Sequence, residues 1–350
     1  MHFQGFLAAM SPGHPYRLDT VISKFFAKTA TNSTACDKMA IGMVGGRVEP
    51  VAVQGNCSYT VYAGCNLEYV FQFRLSSLPL DVDVLRLAHN IHGSIVPEVT
   101  TYGQLGGVHA YSMRRIPGIS YLDFILADRY FINSKESFAC RKTLMGDIAS
   151  FFAASWNSPQ QAPLGFRSNL RQEYIKDLGA LLQSFPPRFH NAIQRCIDSI
   201  DAIVNLPVVL LHRDFSTANL IVDRETCHLK GVLDWGEAGL SPFGQNFHFL
   251  QNLMCVLKLP HGWQPYDDYQ VLQDTLWGKF TSEARGISLE TVDAIKIASV
   301  MGLLLYRGFT RRLAGMPHPT PISEDEEGNY SFLYLDAFVL HPTTRIIDLD

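Results

Sequence analysis

LLHRDFSTANLIVDRETCHLKGVLDW, residues Leu210–Trp235, decides how this chain is read. Val208–Leu211 is an apolar β-type run that delivers His212-Arg213-Asp214 into a loop. Asn219 opens a second apolar run, Arg224–Cys227 suits a turn, and His228–Leu233 forms a third run closed by Asp234. Two runs around a short polar connection predict an antiparallel hairpin. With the turn centred between Thr226 and Cys227, Asn219 faces Asp234, at the Cα separation of about 4.5–5.5 Å usual for opposed residues. An amide oxygen and a carboxylate then meet at the open end of the hairpin, with Asp214 five residues before Asn219. Hard oxygen donors of this kind suit Mg2+ beside a base.

Phosphoryl transfer asks a protein for positioning and charge neutralisation more than for covalent chemistry. One carboxylate and one amide, with nucleotide phosphates, suffice to hold Mg2+, while a second carboxylate orients the attacking hydroxyl and takes its proton. His-x-Asp-x4-Asn, with an Asp fifteen residues later, supplies these parts. Singly, each is an ordinary cap or turn residue; their joint type, spacing and strand context is what carries weight. On these residues the chain resembles the protein-kinase-like fold and, within it, the aminoglycoside phosphotransferase and choline kinase group. The resemblance implies an α+β, two-lobed architecture with a small antiparallel β-rich N-lobe and a mainly helical C-lobe. It makes Asp214 the catalytic Asp, with His212 bracing its loop. Asn219 and Asp234 become the metal ligands and ATP with Mg2+ the cofactors. Trp235 after Asp234 points to the small-molecule branch. His212-Arg213-Asp214 is closer to a protein kinase, but no Ala-Pro-Glu and no activation segment follow Asp234. Arg213 is therefore expected to have a local structural role. Gln72-Phe73-Arg74, Arg115–Leu126 and the Ser155–Gln160 stretch look like fungal members, and the likeness covers most of residues 47–260.

Upstream, Val48–Gln54, Tyr59–Ala63 and Glu68–Leu75 read as strands, with Gly55-Asn56-Cys57-Ser58 and Gly64-Cys65-Asn66 as turns. The one-glycine turn is a plain hairpin turn by itself; the resemblance makes it the cover over the nucleotide phosphates. Kinases hold those phosphates with a cation from the third strand. No lysine lies there. Arg74 does, sharing with Gln72 the face opposite Tyr69, Phe71, Phe73 and Leu75. Arginine grips phosphate bidentately but does not replace lysine atom for atom. Its partner acid is expected from a Pro79–Asn90 helix, with Asp83 best placed. The alternatives are a solvated strand arginine and a helix acid favoured by the dipole. Val108–Met113 is one more strand, and Arg114–Gly118 breaks regular structure. The resemblance puts the interlobe hinge there, with Met113 and Arg115 meeting adenine.

The chain has 350 residues, 47% hydrophobic and 18% charged, with net charge −4, which argues against nucleic acid or an anionic membrane as partner. No apolar run approaches the about 20 residues that span a bilayer. Pro12, Gly13, His14 and Pro15 interrupt any signal-peptide core. Seven cysteines without a Cys-x-x-Cys pair read as reduced thiols in a cytoplasmic protein without zinc. Helices are expected over Asp19–Ala30, after an Asn133-x-x-Glu136 capping box, and over Arg171–Phe185 and Phe189–Val204. Further helices are expected over Asn246–Lys258, Tyr266–Arg285 and Ser288–Leu313, with Thr29–Asp37 a loop. His248 and His261 read as surface or packing histidines. Glu324-Asp325-Glu326-Glu327 reads as a solvated loop, although acidic clusters near the cleft capture cationic substrates in antibiotic kinases. The expected division is a 1–46 extension, a 47–113 N-lobe and a 114–350 C-lobe. The expected activity is ATP- and Mg2+-dependent phosphorylation of a small-molecule hydroxyl, natural-product modification being a reading by analogy. Its rivals are a kinase fold that binds without transferring phosphate, and a cleft reused for ATP-independent acid–base chemistry.

Overall fold

The computed structural model describes residues 16–55, 57–127, 132–258, 261–310, 319–325 and 329–347. The fold is α+β, and it forms two compact units. One holds the described residues up to 127 together with Asp214–Ala238; the other holds those from 132 to Arg213 and from Gly239 onward. The division falls neither at residue 46 nor at residue 113, because the chain returns to the first unit with Asp214–Ala238, which holds the Leu220–Val232 hairpin.

The first unit is organised by a five-stranded antiparallel sheet, β1 (Arg47–Pro50), β2 (Ser58–Gly64), β3 (Tyr69–Leu75), β4 (Val99–Leu105) and β5 (Val108–Arg114), in the order β1-β2-β3-β5-β4. Period-2 alternation sends Tyr59, Val61, Ala63, Phe71, Phe73, Val108 and Ala110 to one face. Phe25 of α1 (Leu18–Phe26) and Cys36 and Ala40 of α2 (Ser33–Val44) cover that face. Residues 16–46 are thus part of the core. The loop expected over Thr29–Asp37 gives way to α2, which the Asn32 side chain caps by accepting from Ala35 N at 2.9 Å. Its buried residues are small, so no apolar stripe announces it. Asp19 caps nothing, since α1 already begins at Leu18. β1 stops at Pro50, short of Gln54. Beyond it the Gln54 side-chain amide pairs with Thr60, Nε2 donating to Thr60 O and Oε1 accepting from Thr60 N, both at 2.8 Å. β4 was not foreseen; it is a mostly exposed edge strand joined to β5 by Gly106-Gly107, both at positive φ.

α3 (Val82–His92) follows β3. A second sheet, β6 (Ile119–Ser120), β8 (Leu220–Val222) and β9 (Leu229–Val232), sets the hairpin against the segment leaving β5. α4 (Tyr121–Leu126) is capped by Ser120.

In the second unit the long helix α5 (Lys135–Trp156) is capped by Ser134, one residue after the expected Asn133. α6 (Phe166–Ser184), α7 (His190–Asp198) and α8 (Ile200–Asn205) lead into β7 (Val208–Leu211), which pairs with β10 (Gly239–Pro242). The helix expected over Asn246–Lys258 is shorter. After α9 (Gln251–Met254) the chain turns into a hairpin, β11 (Cys255–Lys258) and β12 (Gly262–Pro265). Gly262, at φ 80°, takes a conformation that a continuing helix does not use. α10 (Tyr269–Glu283) packs on α5, and α11 (Leu289–Arg307) completes the core. Phe152, Trp156, Phe243, Phe247 and Phe280 form its centre, with Phe243 and Phe280 stacked at 5.5 Å. All seven cysteines are free thiols. No helix among the described residues is long and apolar enough to cross a membrane. Glu324 is paired with Arg188, which also holds Asp336 at 2.9 Å; Glu326 and Glu327 lie outside the described residues.

His248 is a packing histidine, buried against Phe249 and Tyr306 at ring distances of 4.2 and 5.5 Å. Burial first, then the Arg307 charge, lowers its pKa from the ordinary 6.5 to about 3. The unfolded chain therefore takes up a proton near pH 6.5 that the folded chain refuses, and stability is lost as pH falls below 6.5. Between pH 7.5 and 5.5 this one group should cost about 1.4 kcal/mol. Urea unfolding at the two pH values should show that loss in the wild type and not in His248→Gln; equal losses would refute the assignment.

Candidate active site

The hairpin's own turn sets the site. Asp223 N donates to His228 O, and the Asp223 carboxylate accepts from Glu225 N, Thr226 N and the Thr226 hydroxyl at 2.9–3.0 Å. These bonds, the Thr226 backbone N–H foremost, hold the Asp223 pKa below the ordinary carboxylate value. Val222 pairs with Leu229, but Ile221 pairs with Gly231, so Lys230 is an extra residue in β9. The bulge moves the register by one. Leu233 N donates to Asn219 O at 2.8 Å, and Asn219 therefore stands opposite Leu233, not Asp234 as the spacing predicts: the turn centres between Glu225 and Thr226, one residue early, and the bulge recovers only one of the two register steps this costs. Asp234 lies one step beyond the ladder in the left-handed region, φ 60° and ψ 63°, and opens a single 3-10 turn, Trp235–Glu237. Non-glycine residues in that region are sparse and cluster at functional sites. Trp235 is buried and anchors the exit by donating from Nε1 to Val232 O at 2.9 Å.

Asp214 and Asn219 are brought together as expected from their spacing. Both are buried, and Asn219 Nδ2 donates to Asp214 O at 2.9 Å and to Asp214 Oδ2 at 3.0 Å. Two acceptors fix which way the amide points and leave its Oδ1 as the donor atom for a cation. Ser216 N returns to Asp214 O and Asn219 N to Ser216 O, so the loop closes on itself within six residues. His212 is buried at the end of β7. Arg213, at φ 60°, donates from Nη2 to Leu240 O and Ser241 Oγ, both at 2.8 Å. That is the local structural role expected of it.

Arg74 sits in β3 with Ser58 opposite it on β2 and His109 opposite it on β5. It is 9% exposed, its Nε donates to Leu78 O at 3.0 Å, and its Nη1 lies 3.8 Å from Asp234 Oδ1. The expected pair with Asp83 is not formed. Asp81 caps α3 by accepting from Asp83 N and Val84 N, which leaves Asp83 in the first turn facing solvent. Asp83 is instead paired with Arg86 at 2.6 Å. The acid that does meet Arg74, Asp234, is 160 positions away in sequence, which no local pattern reveals.

The 55–58 turn is shorter than expected. Ser58 is a buried strand residue whose Oγ accepts from Gln72 Nε2 at 3.3 Å, and Cys57 O accepts from Leu75 N at 3.1 Å. Gly55 precedes it, and Asn56 lies outside the described residues. β5 runs on to Arg114, so Met113 sits inside the sheet, opposite both Val70 and Val99. Arg115 N donates to Glu68 O at 2.9 Å and its guanidinium lies 3.9 Å above the Tyr62 ring. Its N–H is therefore engaged by protein and not open to a base. In the following segment, Ile116–Gly118, Gly118 (φ 139°) passes so close to β8 that a Cβ would stand 2.5 Å from Val222 O.

Among the described residues no cluster of three or more acids, histidines or cysteines could hold a metal ion. The protein offers an amide oxygen and a 40% exposed carboxylate instead. That donor set fits Mg2+, which keeps its waters and takes further oxygens from substrate phosphates.

A model of the phosphotransferase enzyme family matches residues 64–270. No curated protein matches the chain. Among solved structures, the chain is similar to a choline/ethanolamine kinase family protein from Mesorhizobium loti, with 16% identity, TM-score 0.46 and 83% of each chain covered. It is similar to the macrolide 2'-phosphotransferase MphH from Brachybacterium faecium, with 14% identity, TM-score 0.46, and 78% of this chain and 90% of that chain covered. APH(2")-IIa, in a ternary complex with streptomycin and ATP, shares 16% identity at TM-score 0.49 over 80% of this chain and 93% of that chain.

Proposed function

Because this chain belongs to the phosphotransferase enzyme family, we propose that it transfers a phosphoryl group from ATP, with Mg2+, to a hydroxyl of a small molecule. The observation that carries this reading is the Asp214–Asn219 lock standing in one compact unit with the Asp234–Arg74 pair. Asp214 orients the acceptor hydroxyl and takes its proton. His212, buried two residues before Asp214, is the residue proposed to brace the loop. Asn219 Oδ1 and the Asp234 carboxylate hold the metal, and Arg74 holds the nucleotide phosphates, with the 55–58 turn over them. The 116–118 segment, rather than Met113 or Arg115 N, receives the adenine. Bound ATP supplies the phosphoryl group and Mg2+ offsets the charge on its oxygens. Asp83, turned to solvent, has no part in this. The acceptor is a small molecule of a natural-product kind by analogy with the family's chemistry.

A second reading, nucleotide binding without transfer, draws on Arg74 standing where lysine is usual. Thermal unfolding with ATP, with and without Mg2+, tests the first step. At a nucleotide concentration a hundredfold above Kd, binding to the folded chain alone stabilises it by about 2.7 kcal/mol. A melting temperature that rises with ATP only when Mg2+ is present is the expected result; a rise indifferent to Mg2+ would sink the first reading, and no rise with ATP at all would sink both. ADP release on a panel of hydroxyl compounds then separates transfer from binding.

A further inference from the structure

We infer that Gly236 is a positioning residue, and that its missing side chain is what lets an arginine serve as the phosphate-binding cation in this chain. The inference rests on the nucleotide reading of the same site.

Gly236 follows Asp234 by two positions, within the 3-10 turn Trp235–Glu237. Conformation does not explain it, because Gly236 is not among the glycines at positive φ. Space does. A Cβ at 236 would lie 3.0 Å from Arg74 Nη2, 3.6 Å from its Cζ and 3.4 Å from Asp234 Oδ1. Those three atoms belong to the cation and the carboxylate that have to share the phosphates. A flexible surface arginine would swing away from such a methyl group. Arg74 is held at both ends of its guanidinium: Nε donates to Leu78 O, and Nη1 faces Asp234. Ser58 and His109 flank it on the neighbouring strands. To clear the methyl group the guanidinium must give at one of these two contacts, the bond to Leu78 O or the approach to Asp234.

A lysine at position 74 would present one compact ammonium rather than a planar fork. It needs less width at its tip, and the side chain at 236 would then matter little. Arg74 and Gly236 therefore form a matched pair: the wide cation and the gap that admits it.

The test is a double-mutant cycle on the full chain, read by calorimetric titration with Mg·ADP. Wild type, Gly236→Ala, Arg74→Lys and the Arg74→Lys/Gly236→Ala double variant are compared. Gly236→Ala should weaken nucleotide binding about tenfold when Arg74 is present, the scale of one charge-assisted hydrogen bond. In the Arg74→Lys background the same change should alter binding by less than roughly twofold. The alanine is thus rescued by shortening the cation, which a local effect on the turn would not do. Equal losses in both backgrounds, or no loss beside Arg74, would overturn the inference and leave the functional reading standing. A wild type that binds no Mg·ADP would instead remove the functional reading, and the inference with it.

Discussion

Asp214→Asn should lower the turnover of phosphoryl transfer by about 10²–10⁴-fold, the range usual for removing a general base. The substitution is chosen because it keeps the loop. Asparagine retains a side-chain oxygen where Asp214 Oδ2 accepts from Asn219, and the backbone bond from Asn219 Nδ2 to Asp214 O does not depend on the side chain. What disappears is the group able to take the acceptor's proton. ADP release should therefore collapse while the metal-dependent rise in melting temperature persists. If turnover survives within a small factor, the proton leaves by another route and Asp214 is not the base. If the melting response vanishes as well, Asp214 is needed for holding the nucleotide site together.

The largest expected effect on stability lies in the helical unit. Arg141 of α5 and Asp268 are both buried, their side chains 7% and 6% exposed. Arg141 Nε donates to both carboxylate oxygens at 3.1 Å. Nη2 stands 2.9 Å from Oδ1 without hydrogen-bond geometry, so that contact adds charge attraction only. Nη1 donates to Ile132 O at 2.8 Å, and the guanidinium lies 4.1 Å from the Tyr266 ring. Asp268→Ala would strand a buried cation, at a cost of about 3–5 kcal/mol. Replacing the pair together, Arg141→Met with Asp268→Leu, should restore much of the loss, because an apolar pair carries no desolvation penalty. Urea unfolding of the two variants decides it. A single variant within about 1 kcal/mol of wild type would mean that water reaches Arg141 and screens it.

The site was legible where it depended on local periodicity and opaque where it depended on long-range packing. Asp214 and Asn219 sit on one loop, and their spacing alone brings them together. The hairpin was equally visible, but its register was not. The turn centres one residue earlier than its composition suggests, and Lys230 looks like any strand residue, so nothing in its type marks the bulge that moves Asn219 from Val232 to Leu233. Arg74 is legible because it stands at a definite strand position where a lysine is usual, while its acid is not, because Asp234 lies 160 positions away in the sequence. Asp83 was a reasonable choice on sequence distance, and the cap at Asp81 turned it outward. Helix α2 escaped notice because its buried side chains, Cys36 and Ala40, are too small to mark a stripe. Arg115 reads as a hinge residue until Glu68 O is seen to take its N–H.

The packing of α1 and α2 on the sheet bears on how segments of this chain could be exchanged. The family match begins at residue 64, partway along the core and past both helices, β1 and most of β2. Yet Phe25, Cys36 and Ala40 are enclosed by the same cluster as Phe71 and Phe73. The amino-terminal helices and the sheet therefore form one packing block, wider than the family match. A chimera that borrowed this sheet without its two helices would inherit an apolar face and nothing to close it.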